Sequence, residues 1–211
     1  MRSVYTPNGL IISKMSGKLE GFMSINTNPL NNPYCNRMAT VKECICSSCY
    51  SRRMLGTSRI NCSDPWTRNG KILSDSVFHS WDLPDLTKCA CNGAFRFSSH
   101  GELINEIHLI NLCSIARRNP DITFGLWTKR VDMVQANLDL VLDNMVLVAS
   151  TLWTDVQEPE LPDGFHKVFG AYTRGYVEET GVTINCTGKC KDCMVCYRKD
   201  NGIARINEIV K

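Results

Sequence analysis

Four cysteines lie within eleven residues near the end of the chain. They are Cys186, Cys190, Cys193 and Cys196, spaced C-x3-C-x2-C-x2-C. Steps of two or three residues let one loop or helical turn present several thiolates to one metal centre, and a C-x2-C-x2-C run is typical of bacterial-type ferredoxins. The segment 186–197 therefore predicts cysteine ligation of a [4Fe–4S] cluster. Zinc is the alternative, because C-x2-C is also a common step in structural zinc sites.

A second group of cysteines lies in the segment 35–62. It contains Cys35, Cys44, Cys46 and Cys49, with Cys62 a little later. This group could hold a second cluster or donate ligands to the same cluster as the C-terminal group. Three protein thiolates would leave one iron open to a substrate or cofactor, whereas four would favour electron transfer or a structural role. The spacing leaves both arrangements open.

The other cysteines carry less information. Cys89 and Cys91 form a C-x-C pair, and spacing assigns no role to them or to Cys62. Cys113 shares an apolar face with the leucine and isoleucines of a predicted helix. A lone cysteine in that position is typical of core packing, so we predict that Cys113 is structural.

Cysteine is the unusual component of the composition, with 12 in 211 residues. The N-terminal sequence lacks a continuous apolar stretch, so we expect no signal peptide and a cytoplasmic location. In a reducing compartment, clustered thiols indicate metal ligands rather than disulfides. No apolar run reaches the roughly 18 residues needed to span a membrane. The net charge of +3 is too small to indicate nucleic-acid binding by itself.

Short strands alternate with helices between the two cysteine groups. The pattern predicts strands at 21–26, 94–99, 121–128, 145–151 and 166–173, and helices at 103–118 and 132–142. Such alternation indicates βαβ units and a parallel sheet. Because a closed eight-stranded barrel typically needs about 250 residues, we predict a partial parallel (βα) barrel of about five or six strands. The chain would then be a single α/β domain, 1–211, with a βα core at 94–173 and cysteine-rich N- and C-terminal segments.

Polar side chains follow the predicted strands, where α/β proteins place their functional groups. Arg96, His100 and Glu102 are candidates for orienting or reacting with a polar substrate or cofactor. The cofactor-binding candidates are Ser98, Lys129 and Arg130. The competing interpretation is that Glu102 stabilises a helix N-terminus and that the two cations are solvated. We expect segment 186–197 to fold back over this rim, and His79, His108 and His166 to lie at the surface or an edge.

Several stretches carry a resemblance to a known family. SINTNPLNNPYC, ICSSCYS, FRFSSHGELIN and TFGLWTKR resemble a phage-encoded family, the mycobacteriophage gene-product-eighty-eight-like proteins, over residues 22–197. The strand–helix order is also similar to that of the radical S-adenosylmethionine enzymes, whose partial (βα)6 barrel holds a [4Fe–4S] cluster through three cysteines. In this chain the early group is C-x10-C-x2-C, and the C-x3-C-x2-C spacing of those enzymes stands instead at the C-terminal end. The resemblance implies S-adenosylmethionine as a cofactor candidate and the host cytoplasm as the location.

Two classes of function follow. The first is a radical-enzyme-like or redox iron–sulfur enzyme acting on a small molecule or nucleotide. The second is a non-catalytic protein, stabilised by iron–sulfur or zinc, that modulates host nucleic-acid machinery. Basic residues beside the first cysteine group could serve as a nucleic-acid surface or balance the charge of bound thiolates. An H-x-E motif, His100-Gly101-Glu102, also fits zinc nucleobase deaminases, but no proline precedes the later cysteine pair as their signature requires.

Overall fold

The computed structural model describes residues 4–210. Its framework is one eight-stranded sheet in which every strand pairs with its neighbours in the sequence. β1, β2 and β3 pair antiparallel, whereas all pairings from β3 to β8 are parallel. The strands are β1 (Val4–Tyr5), β2 (Ile11–Lys14), β3 (Met23–Ile25), β4 (Ala94–Phe97), β5 (Thr123–Thr128), β6 (Met145–Thr154), β7 (Lys167–Tyr172) and β8 (Arg205–Ile209).

Helices and 3₁₀ segments fill the connections between the strands. The α-helices are α1 (Pro33–Ala39), α2 (Tyr50–Leu55), α3 (Ser63–Asp75), α4 (Glu106–Arg118), α5 (Val131–Gln135), α6 (Arg174–Thr180) and α7 (Cys190–Cys193). The 3₁₀ segments are Gly17–Leu19, Ile45–Ser48, Ile60–Cys62, Ser80–Asp82, Thr87–Cys89, Leu138–Leu140 and Val195–Tyr197. No helix within the described range is both long and apolar enough to cross a membrane.

Side chains alternate between two apolar layers, as the period-two geometry of strands requires. Phe95, Phe97, Phe124 and Leu126 point to the layer that also contains the buried face of α4. Their neighbours along the strands, among them Trp127, belong to the other layer. Because both faces of the sheet are covered, β6 begins as the continuous apolar run that the sequence predicts for a buried strand.

The predicted helices are present but shorter than expected. α4 begins at Glu106 rather than at residue 103, because the Asn105 side chain caps it by accepting from the His108 N–H at 3.0 Å. The helix predicted at 132–142 is divided into α5 and the 3₁₀ segment Leu138–Leu140. Glu102 therefore lies before the N-cap of α4, outside its first turn.

The sheet contains one more strand than the sequence predicts after residue 173. β8 follows the C-terminal cysteines and pairs in parallel with β7. The segment 186–197 is consequently part of the connection between two neighbouring parallel strands, and not a terminal extension. The eight-stranded α/β sheet and the two cysteine-rich segments agree with the predicted class of fold.

Candidate metal centres at the two edges of the sheet

The N-terminal cysteine group lies at the carboxyl edge of the parallel strands. The chain leaves β3 at this edge, and the Asn32 side chain accepts from the N–H groups of Tyr34 and Cys35 at 2.9 and 3.3 Å, which caps α1. Asn32 also donates to the carbonyl of Glu102 at 2.8 Å, beyond the end of β4. The Tyr34 hydroxyl donates to the carbonyl of Lys129 at 3.3 Å, just after β5. These bonds hold Cys35 over the ends of two adjacent strands.

The thiols of this group raise one another's pKa values, and the charge of Lys129 opposes that increase. Burial raises the pKa of Cys35, and the charges of Glu102, Cys49 and Cys46 raise it further. Burial also raises the pKa of Cys46 to about 12, with Cys44 and Cys49 adding to the increase. Lys129 lowers the pKa of both Cys35 and Cys46. The 3₁₀ segment Ile45–Ser48 also contacts β6, so the group extends across the carboxyl edge.

His100, just after β4, contacts the helix α2 that follows the N-terminal cysteine group. Its Nδ1 lies 2.8 Å from the Ser51 hydroxyl and its Nε2 lies 3.4 Å from the Tyr50 hydroxyl, both on α2 directly after Cys49. The imidazole stacks on Trp66 with ring centroids 4.5 Å apart. Burial, with the charges of Arg59 and Arg96, lowers the pKa of His100 to about 3. His100 is therefore a neutral, enclosed group whose contacts are those of a positioning residue.

Glu102 is buried and accepts from three hydrogen-bond donors. The Thr128 hydroxyl and the Leu103 N–H donate to Oε1 at 2.5 and 2.8 Å, and the Lys129 N–H donates to Oε2 at 2.7 Å. Burial raises the pKa of the carboxyl, while the hydrogen bonds oppose that rise. Gly101 is required next to it, because its φ is +86° and a Cβ there would lie 2.4 Å from the carbonyl oxygen of Thr27. Glu102 thus joins the ends of β4 and β5.

The three candidate cofactor-binding residues have different surroundings. Ser98 is buried at the end of β4 with a left-handed φ of +52°, a conformation that is uncommon outside glycine and often found at functional sites. Lys129 faces the thiols. Arg130 is engaged by Asp132, with Nε 3.3 Å from the carboxylate, and lies over the Tyr34 ring at 4.9 Å.

The C-terminal cysteine group lies at the opposite, amino edge of the sheet. The Asn92 side chain, just before β4, donates to the carbonyl of Lys191 at 2.8 Å. Tyr197 stacks on Phe22 with centroids 4.8 Å apart and tilts against Trp127 at 5.4 Å. The expectation that this segment covers the carboxyl rim is wrong, because β8 must start at the amino edge and the preceding chain has to return there.

A glycine on β5 makes room for this packing. A Cβ at Gly125 would lie 2.5 Å from Cζ3 of Trp127 and 2.8 Å from Cε1 of Tyr197. Real Cβ atoms essentially never lie within 3.0 Å of such an atom, so a side chain at this position would force the two rings to shift. Only glycine at this position lets the Tyr197 ring rest on the sheet, and Tyr197 directly follows Cys196.

Arg96 lies on β4 between the two edges. Its guanidinium carbon is 3.3 Å from the centroid of Trp127, and its buried Nε has no hydrogen-bond partner among residues 4–210. Across residues 4–210 the close ion pairs are Lys18–Glu208 and Arg130–Asp132, so no carboxylate neutralises Arg96. Burial raises the pKa of Cys190 and, to about 12, that of Cys196, and Arg96 opposes both increases.

All twelve cysteines are free thiols. Within the described part of the chain, no three histidine, cysteine or acidic side chains are already arranged to hold a metal ion. Cys186 and Cys193 nevertheless lie near enough to Cys190 and Cys196 to raise their pKa values. The fold therefore gathers the C-terminal four into one group, separate from the N-terminal group.

The remaining cysteines and histidines have clear surroundings. Cys113 is buried in the α4 layer, and burial raises its pKa to about 11. Cys89 and Cys91 are buried before β4, and Cys91 belongs to the layer that contains Tyr197. His108 is not at the surface as expected but has no exposed area, because the N-cap of α4 turns it into the core.

The sequence indicates polar residues at the end of β3, Asn26 among them, but not the contacts that connect the groups. Asn26 accepts from the His100 N–H at 2.9 Å, and Asn32 connects α1 to Glu102. The asparagine-rich stretch INTNPLNN was the available signal, since asparagine side chains bond to nearby backbone groups in loops. Nothing in the sequence indicated that Trp127 and Tyr197 would enclose Arg96.

Comparison with known proteins gives one result. The sequence model of a family described as Gene product 88 matches residues 11–203. No curated protein matches the chain, and no solved structure matches it.

Proposed function

We propose that this chain, which belongs to the Gene product 88 family, is an iron–sulfur protein. Cys35, Cys46 and Cys49, with Cys44 beside them, would hold a [4Fe–4S] cluster at the carboxyl edge. Cys186, Cys190, Cys193 and Cys196 would hold a second cluster at the amino edge. The observation that carries this proposal is the sorting of eight thiols into two groups on opposite edges, each beside a cation that forms no ion pair within 4 Å among residues 4–210.

The donor chemistry fits such clusters. Thiolate ligands bring negative charge, and a buried cation without a counter-charge is costly unless an anion accompanies it. Arg96 and Lys129 are each half-buried, so part of this cost applies to both. Arg96 lies near Cys190 and Cys196, and Lys129 lies near Cys35 and Cys46. These two residues would offset the charge of the bound groups. Zinc remains the alternative metal for the C-terminal group, because tetrahedral thiolate sites also suit it.

The six parallel strands in simple sequential order support a partial barrel. Were this part of the sheet flat, β3 and β8 would be separated by about 24 Å, at about 4.8 Å per strand. Lys18, close before β3, instead places its Nζ 2.6 Å from Oε2 of Glu208 on β8. Strong curvature of the sheet would explain this pair. The aromatic side chains of Phe22, Trp127 and Tyr197 would then lie inside the curve.

The carboxyl edge is where a reaction would take place. A bound cluster would supply one-electron transfer and, at an iron without a protein ligand, a coordination site for substrate or for S-adenosylmethionine. His100 and Glu102 would position the edge: His100 holds α2 against β4, and Glu102 joins β4 to β5. Ser98 and Lys129 would contact a polar cofactor or a small-molecule or nucleotide substrate there.

A second candidate is a non-catalytic metal-stabilised protein that binds host components such as nucleic-acid machinery. One observation favours it: the two strongest acid–base candidates are enclosed, His100 as a neutral ring and Glu102 with three donors. EPR spectra of the reduced protein, recorded with and without S-adenosylmethionine, separate the two functions. A changed signal supports the enzyme, and an unchanged signal without cofactor cleavage supports the binding protein.

Serine variants test the two cysteine groups separately. Cys49→Ser should remove the iron of the carboxyl edge, and Cys193→Ser should remove that of the amino edge, each halving the iron content of anaerobically purified protein. Cys113→Ser is the matched control, a buried thiol outside both groups, and should retain all the iron. If Cys113→Ser lost iron while Cys193→Ser kept it, the assignment of ligands would be wrong.

A further inference from the structure

A cavity of about 800 Å³ opens at the amino edge of the sheet, away from the carboxyl edge where the proposed reaction would take place. Three segments that are distant in sequence form its wall: residues 14–23, residues 88–90 and residues 188–192. The third segment includes Cys190, one of the proposed ligands of the amino-edge cluster, so the cavity adjoins that centre. Its volume lies within the range of 300–1,000 Å³ typical of small-molecule sites. Phe22 is 1 % exposed, so the wall offers little aromatic surface for stacking.

The cavity concentrates positive charge. Five lysines line it, together with two acidic residues, so its formal charge equals the +3 of the entire chain. The lysines are Lys14, Lys18, Lys88, Lys189 and Lys191. Lys18 is paired with Glu208, whereas none of the other four has a carboxylate within 4 Å among residues 4–210. Like charges brought together from three segments repel one another, and a bound anion relieves that repulsion.

The shape and charge point to one class of ligand. Lysine ammonium groups act as point charges and are common phosphate ligands, whereas planar carboxylate recognition favours arginine, which the wall lacks. A partner protein would need a contact area of about 800 Å² on this chain, and such contacts are made by broad surfaces rather than by a cavity. We propose that this cavity binds a small anion carrying two or more phosphate groups.

Binding can be measured by calorimetry on the anaerobically purified full chain, with inorganic tripolyphosphate as the first probe and a nucleoside triphosphate as the second. Lys14→Gln and Lys88→Gln each remove one charge from the wall without touching the C-terminal cysteine segment. A unit charge about 4 Å from an anion in water contributes about 1 kcal/mol, so each variant should weaken binding about fivefold at low salt. Lys71→Gln is the control, because Lys71 is exposed on α3, outside the cavity.

The expected result is tripolyphosphate binding that both cavity variants weaken, that Lys71→Gln leaves unchanged, and that weakens in high salt. Tighter binding of the nucleoside triphosphate would assign the ligand to phosphorylated organic molecules, and equal binding would assign recognition to the phosphates alone. The proposal is overturned if tripolyphosphate does not bind, or if all three variants bind it equally. It is also overturned if Lys14→Gln and Lys88→Gln lose iron, since the lysines would then serve the thiol group.

Discussion

Replacing Gly125 by alanine tests whether the C-terminal cysteine segment rests on the sheet. The new Cβ would lie 2.5 Å from Trp127 and 2.8 Å from Tyr197, against ordinary contacts of 3.4–4 Å. Both rings must therefore move by several tenths of an ångström or more. Overpacking of this kind costs about 1–3 kcal/mol, and the conformational entropy advantage of alanine over glycine returns about 0.4–1 kcal/mol. We expect a net loss of about 1–2 kcal/mol.

Urea unfolding and thermal scans of the anaerobic protein measure this loss. For a chain of this size, the expected fall in Tm is about 2–8 °C. Because Tyr197 directly follows Cys196, the variant should also lose iron from the amino edge before the carboxyl edge. Gly175→Ala is the matched control: Gly175 lies in α6, where a Cβ would meet no atom within 4 Å, so alanine should be neutral or stabilising. An unchanged Gly125→Ala variant would refute the packing of Tyr197 against β5.

Two further substitutions test buried polar groups. Burial lowers the pKa of His108 from 6.5 to about 3, so between those pH values only the unfolded chain takes up this proton. The free energy of unfolding therefore falls as the pH falls from 6.5 towards 3. His108→Gln should reduce the slope of the free energy of unfolding against pH by about 1.4 kcal/mol per pH unit. If urea titrations showed the same loss of stability between pH 6 and pH 4 in the variant and in the unsubstituted protein, this prediction would be contradicted. Glu102→Gln should lower the free energy of unfolding by about 1–3 kcal/mol, because one of the three donors would then face the N–H group of the new amide. An unchanged urea midpoint in this variant would show that the carboxylate does not join β4 to β5.

The parallel sheet could be predicted because its strands are buried on both faces. β5 and β6 are apolar runs bounded by turn residues, and the Asn119-Pro120 pair marks the end of α4. β8 escaped prediction because Arg205–Ile209 is a short edge strand with only two apolar residues, separated by Asn207 and Glu208. That omission also misplaced the C-terminal cysteines, since their edge depends on the direction of the strand that follows them.

The candidate site was predictable in its residue types but not in its contacts. The spacing of cysteines and the position of polar residues after strands are local signals, and they selected Cys35, Cys193 and Glu102. The enclosure of His100 by Trp66 and Ser51 results from packing between segments about 35 and 50 residues apart. The charge environment of Arg96 likewise depends on Tyr197, about a hundred residues away in sequence. Neither property has a periodic signature.

The central claim is that the two thiol groups hold iron–sulfur clusters, and metal analysis of the anaerobically purified chain tests it most directly. Iron, acid-labile sulfide and zinc are quantified per chain in the same sample. Two [4Fe–4S] clusters predict about eight iron and eight sulfide per chain, and one cluster predicts about four of each. A colourless protein with stoichiometric zinc and no sulfide would contradict the claim.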